Sequence, residues 1–139
     1  MSKGILLDTT VISQFAAKSG PSPKMVEWFS ELDQRLYISA INYYEVIAGL
    51  HEIQAFQTAE KFKELLKTLS IEILPVTQEI SEQAAIERGR GKVTGQVRKM
   101  ADLLIGATAY SHGLSVATAN VKDFSFWEFD AFDPASSRV

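Results

Sequence analysis

Four short apolar runs, Ile5 to Asp8, Leu36 to Ala40, Ile71 to Val76 and Leu114 to Thr118, are separated by stretches whose apolar residues recur at helical spacing. Runs of that length suit buried strands, and strands joined through helices must pair in parallel, because a tight hairpin cannot return the chain in the same direction. The alternation therefore predicts an α/β fold: a three-layer α/β/α sandwich around a mostly parallel sheet of four to five strands. Glu128 to Phe132 supplies the fifth strand, at a sheet edge before Pro134. At 139 residues the chain makes a single domain, residues 1–139, with residues 134–139 as a flexible tail.

The intervening segments read as helices with defined ends. Thr9 to Lys18 carries Val11, Ile12, Phe15 and Ala16 on one face, and Ser22 is placed to cap a helix bearing Met25, Val26, Trp28, Phe29 and Leu32. From Ile41 the period becomes helical again, with Tyr44, Ile47, Ala48 and His51 on related faces. Ala55 to Leu69 is amphipathic. Thr77 caps a helix containing Ile80, Ala84, Ala85 and Ile86, which the glycine-rich segment Gly89 to Gly95 is expected to break. Arg98 to His112 should bury Met100, Leu103, Leu104, Ala107 and Tyr110 and stop at Gly113.

In open parallel sheets, ligands sit outside the carboxyl ends of the strands. Asp8, Glu45 and Asp123 all follow strands, and Asp102 opens the helix leading into the fourth, so four distant carboxylates converge on one sheet edge. Carboxylates about 4 Å apart repel by roughly 4 kcal/mol per pair at an effective dielectric near 20, and a shared cation relieves that repulsion. Oxygen donors select hard ions, so the expected cofactor is Mg²⁺ or Mn²⁺ and the expected chemistry is phosphoryl displacement on nucleic acid. Taken singly, each acid has a plainer reading: Asp8 as a helix cap, Glu45 on an exposed helix face, Asp102 complementing a helix dipole, Asp123 as a solvated turn charge. Asn120 and Thr118 equally read as a turn residue and a strand hydroxyl.

Net charge is −3, so the chain as a whole does not advertise nucleic-acid binding. Five of its 14 basic residues, Arg88, Arg90, Lys92, Arg98 and Lys99, nevertheless fall in one stretch just before Asp102. They read either as a solvated helix end and loop or as a rim that tracks substrate phosphates. The two histidines, His51 and His112, lie away from the acids, which argues against a metal-free histidine-pair nuclease. With no cysteine there is no disulfide, thiolate zinc site or cysteine nucleophile. No apolar run reaches the roughly 18 to 20 residues of a membrane span, and the first residues lack a secretory pattern, so a soluble, cytoplasmic protein is expected.

Four segments, Ile5-Leu-Leu-Asp-Thr-Thr-Val-Ile12, Ser39-Ala-Ile-Asn-Tyr-Tyr-Glu-Val-Ile-Ala-Gly49, Ala101-Asp-Leu-Leu-Ile-Gly-Ala-Thr-Ala109 and Ala117-Thr-Ala-Asn-Val-Lys-Asp-Phe124, resemble the successive motifs of the PIN-domain nuclease family, in particular its VapC and FitB type toxins. The resemblance runs from Ile5 to about Phe132. It implies that Asp8, Glu45 and Asp102 are the main acidic metal-site residues, Asp123 the variable fourth, with Thr9, Thr118 and Asn120 as polar support. It further implies an Mg²⁺- or Mn²⁺-dependent endoribonuclease acting on structured RNA and leaving a 5′-phosphate and a 3′-hydroxyl, and a homodimer held by a cognate antitoxin protein. Two positions depart from the family's habit: Ala119 stands where a basic residue is common, and Thr10 where asparagine or serine is. A nuclease-inactive module of the same fold that binds RNA, DNA or a partner protein is the alternative. A haloacid-dehalogenase-type phosphatase is disfavoured, because Thr10 occupies the place of its second aspartate.

Overall fold

The five strands of the computed structural model, which describes residues 3–136, form one fully parallel sheet in the order β3-β2-β1-β4-β5. The strands are β1 (Ile5–Leu7), β2 (Leu36–Ser39), β3 (Glu72–Leu74), β4 (Ser115–Ala117) and β5 (Ala131–Phe132). β1 is central, pairing on one side with β2 (Ile5 with Leu36) and on the other with β4 (Leu7 with Ala117). Chain order first runs outward through β2 to β3 and then jumps across β1 to β4. The sheet therefore has its topological switch between β1 and β4, where parallel α/β sheets open a crevice.

The helices are α1 (Thr9–Ile12), α2 (Pro23–Ser30), α3 (Ala40–Glu52), α4 (Phe56–Thr68), α5 (Gln78–Val93) and α6 (Met100–His112). Strand alternation sorts them into layers. Ile5, Leu7, Ile38 and Ala117 pack with Val11, Met25, Val46, Leu50 and Phe62 of α1 to α4. Leu6 and Val116, one residue out of phase, pack on the opposite face with Ile80, Leu103, Ala107 and Trp127. Both sheet faces are thus covered, which is why the strands read as continuous apolar runs. Among the described residues no helix is long and apolar enough to cross a membrane.

Several local expectations hold because their chemistry is local. Ser22 Oγ accepts from the Met25 amide with Pro23 at the first helical position, and Thr77 Oγ1 accepts from the Ile80 amide. Gly113 ends α6 in the left-handed region, with φ of +67°.

Others are corrected. The helix expected over Thr9 to Lys18 ends at Ile12 and continues only as a 3₁₀ turn, Ser13–Phe15. In α3 the buried face is Asn42, Val46 and Leu50, while Tyr44 is 68% exposed. The apolar stripe was misphased because its first buried member is a polar residue, Asn42, whose side-chain oxygen and nitrogen both find partners. The Gly89 to Gly95 segment does not break α5, which continues to Val93 with Gly91 buried. A helical glycine costs only about 1 kcal/mol relative to alanine, and tertiary packing overrides it. Met100 and Tyr110, expected inside, are exposed, as are Ala85 and Ile86 on α5. Of the run Glu128 to Phe132, only Ala131 and Phe132 pair with β4. The tail expected from residue 134 is not free at its start: Pro134 is buried, and Asp133 Oδ1 accepts from the Ala135 amide. Residues 137–139 lie outside the described part.

Gly106 shows how closely α6 is packed. A methyl group there would overlap the Trp127 indole. Gly106→Ala should therefore lower stability by about 1–3 kcal/mol despite better helix propensity. Denaturant unfolding checks this, and an unchanged midpoint would show that the indole can move away.

Candidate active site

Asp8 follows β1 directly and is 4% exposed. It occupies the N-cap position of α1, and its backbone carbonyl accepts from Val11 and Ile12, yet its side chain makes no capping bond. The carboxylate turns instead across the crevice. Its Oδ2 accepts from Thr118 Oγ1 at 2.8 Å and from Thr10 Oγ1 at 3.0 Å. Each hydroxyl has its own lone pair filled from the β4 side, Thr118 by the Asn120 amide and Thr10 by the Ala119 amide, both at 2.9 Å. A hydroxyl has one proton, so both protons are directed at Asp8. No donor among the described residues reaches Asp8 Oδ1, which is left for solvent or a ligand.

Glu45 is set by a second relay. Ser39, ending β2, and Asn42 form a reciprocal cap at the start of α3: the Ser39 amide donates to Asn42 Oδ1 at 2.8 Å, and the Asn42 amide donates to Ser39 Oγ at 3.3 Å. Asn42 Nδ2 then donates to Thr9 Oγ1 at 2.8 Å, and Thr9 donates its single proton to Glu45 Oε1 at 2.6 Å. The buried Asn42 thus converts the geometry of a helix start into the orientation of a carboxylate one turn later.

Asp102 sits in the first turn of α6, and Asp123 in the 3₁₀ turn Val121–Phe124 that follows β4. Neither side chain takes a hydrogen bond or ion pair among the described residues. The Asp102 carboxyl is pushed up to about 6 from its ordinary 3.8, first by burial, then by Asp123 and Asp8, with Lys99 opposing and Glu45 adding. One side chain therefore feels all three other acids, so the four share a single electrostatic field. Beside Asp102 and Asp123 opens a cavity of about 440 Å³, lined also by Gln96, Val97, Arg98, Lys99, Lys122, Ser125 and Phe126.

The donor set is carboxylate and hydroxyl oxygen without histidine or cysteine, which suits a hard divalent cation. Among the described residues, no group of three or more acidic, histidine or cysteine side chains stands arranged to hold a metal ion. Burial and then the neighbouring acids raise the Asp102 carboxyl, and a cation here would relieve the repulsion among those acids.

The five basic residues divide. Arg88, Arg90 and Lys92 are exposed on the last turns of α5, and Lys99 lines the cavity. Arg98 borders the same cavity but is largely covered, its side chain 13% exposed and paired with Glu87. Asn120 enters through its backbone, as a donor to Thr118. His51 and His112 lie exposed in the last turns of α3 and α6. Sequence reasoning missed Ser39, Asn42 and Lys122 and treated Thr10 only as a departure. The spacing of Ser39 and Asn42, a hydroxyl followed three residues later by a side chain able to reach back, was a legible capping signal.

The PIN domain family model matches residues 5–125. VapC ribonuclease Y4jK of Sinorhizobium fredii (strain NBRC 101917 / NGR234) is 32% identical over 136 residues, covering 94% of this chain and 96% of that protein. Toxin FitB of Neisseria gonorrhoeae (strain ATCC 700825 / FA 1090) is 30% identical, covering 94% and 97%. The solved structure of FitAB bound to an IR36 DNA fragment superposes with a TM-score of 0.83 at 28% identity, covering 97% of this chain and 98% of that one.

Because Asp102 holds its proton to about pH 6 when folded but to 3.8 when unfolded, the folded state binds more protons between those values. This group's contribution to stability therefore falls as pH rises through that window. With divalent ions chelated, Asp102→Asn should melt with the wild type at or below pH 3.8 and increasingly above it as pH rises toward about 7. Thermal melts across that range test the point, and a difference independent of pH would contradict a shared field.

Proposed function

The chain belongs to the PIN domain family, and from that premise we propose that it is a metal-dependent endoribonuclease that hydrolyses structured RNA as the toxin of a toxin–antitoxin pair. The observation that carries this reading is the convergence of Asp8, Glu45, Asp102 and Asp123 on one field at the β1/β4 switch. The family's relatives include proteins called a VapC ribonuclease and Toxin FitB, which supports both the activity and the toxin role.

Asp8 through Oδ1, Asp102 and Glu45 would hold Mg²⁺ or Mn²⁺ directly or through water, with Asp123 and Asn120 completing the surroundings. When bound, the ion supplies charge neutralisation at the phosphodiester oxygens. Thr118 and Thr10 hold Asp8 in one rotamer so that its second oxygen faces the crevice, and Thr9 does the same for Glu45. Lys99 and Lys122, flanking the acid pair, offset phosphate charge at the cavity mouth, while Arg88, Arg90 and Lys92 extend a cationic strip along α5. Water adds to phosphorus, O3′ departs, and the products carry a 5′-phosphate and a 3′-hydroxyl. A homodimer restrained by a cognate antitoxin in the cytoplasm completes the proposal.

One observation favours the second reading, a nuclease-inactive module of this fold: among the described residues no three acids stand ready to clasp an ion. Titrating Mn²⁺ separates the two, since an inactive site would bind weakly and never cleave at any metal concentration.

Asp8→Asn should keep the fold, because the amide oxygen still accepts from Thr118 and Thr10. RNA cleavage by the purified protein should nonetheless fall by more than the roughly 10–100-fold typical of outer-shell partners. Cutting at the wild-type rate would overturn the assignment.

A further inference from the structure

Arg98 lies four residues before Asp102, in the stretch whose cationic character suggests phosphate contact, yet three of its five N–H groups are already engaged within the protein. Nη1 donates to the Glu87 carbonyl oxygen at 2.8 Å and to Glu87 Oε2 at 3.3 Å, and Nη2 donates to Gln96 Oε1 at 3.0 Å. Nε is buried and faces no acceptor, pressed toward Gly91, where a methyl group would stand 2.9 Å from it. One face of the guanidinium is covered by Phe126, with its central carbon 3.6 Å from the ring centroid. Glu87 is buried and balanced by a second cation, Arg90 at 2.7 Å. Of the nearby cations, Lys99 acts on Asp102.

These contacts join three separate segments. Glu87 belongs to α5, Arg98 leads into α6 and thus to Asp102, and Phe126 follows the 3₁₀ turn that carries Asp123. We propose that Arg98 is a positioning residue rather than a substrate contact: clamped between Glu87 and Phe126, it sets the separation of Asp102 and Asp123 and so the affinity of the acidic site for a divalent cation. This rests on the metal-site reading above. It also accounts for the buried Gly91, since a side chain there would displace the arginine.

Arg98→Lys, Phe126→Leu and Glu87→Gln are the informative variants. Leucine at 126 removes the ring without touching any charge, and lysine at 98 keeps the charge but loses the planar fork and its stacking. Mn²⁺ affinity is read from the electron paramagnetic resonance of free Mn²⁺, and RNA affinity from fluorescence anisotropy in EDTA, both on the full chain. A positioning role predicts that each folded variant binds Mn²⁺ about 10–100-fold more weakly while RNA affinity in EDTA stays within about twofold of wild type. A phosphate contact predicts the reverse: Mn²⁺ binding unchanged, Arg98→Lys near normal, and Arg98→Gln weakened for RNA. Either unchanged Mn²⁺ affinity in folded Phe126→Leu and Glu87→Gln or that reverse pattern overturns the inference. Wild-type protein that binds no Mn²⁺ would instead sink the metal-site reading itself, and the inference with it.

Discussion

The hydrogen bond from Thr118 to Asp8 spans the point where the sheet reverses its strand order, and the site is organised around it. A carboxylate buried at the end of β1 is costly unless it is hydrogen-bonded, and here two hydroxyls meet one of its oxygens. Both hydroxyls are anchored by backbone amides just past β4, so the position of Asp8 is tied to the β1/β4 register, Leu7 against Ala117. The strand pairing that builds the core is thus the same pairing that aims the carboxylate.

The remaining acids are added to this anchor by different devices. Glu45 is held through the helix cap at Ser39 and the buried Asn42, a relay that begins in the backbone geometry of α3. Asp102 depends on where α6 starts, which the Arg98 cluster determines, and Asp123 on a short turn after β4. Because these supports belong to different elements, the site is assembled only when the sheet, α3 and α6 are all in place. Burial first, and then the neighbouring acids that Lys99 only partly offsets, raise the Asp102 carboxyl to about 6. That arrangement sacrifices some stability for a pocket that favours cations.

Much of this was legible in the linear chain where the cause was local or periodic. Ser22, Thr77 and Gly113 end their helices as their types predict, and the strand runs fall where apolar residues cluster. The acids could be placed at one sheet edge because strand–helix alternation forces parallel pairing, and ligands then gather at the strand ends. Reading failed where tertiary contacts overruled local preference. Gly89 and Gly91 looked like a break but lie within α5, and the polar Asn42 was passed over as a core residue because one of its partners, Thr9, comes from 33 positions away. Arg98 looked like part of a cationic rim, since nothing nearby in sequence announces Glu87 and Phe126 as its partners.

The amino-acid order by itself determined the layer architecture and the family resemblance and nominated the four acids, because hydrophobic period and strand-end placement are encoded within a few residues of each position. Only the tertiary structure decided which oxygen of Asp8 is free, which threonine serves which carboxylate, and which arginine points inward. Hydrogen-bond direction and burial depend on residues as many as 110 positions apart, and no local pattern carries that information.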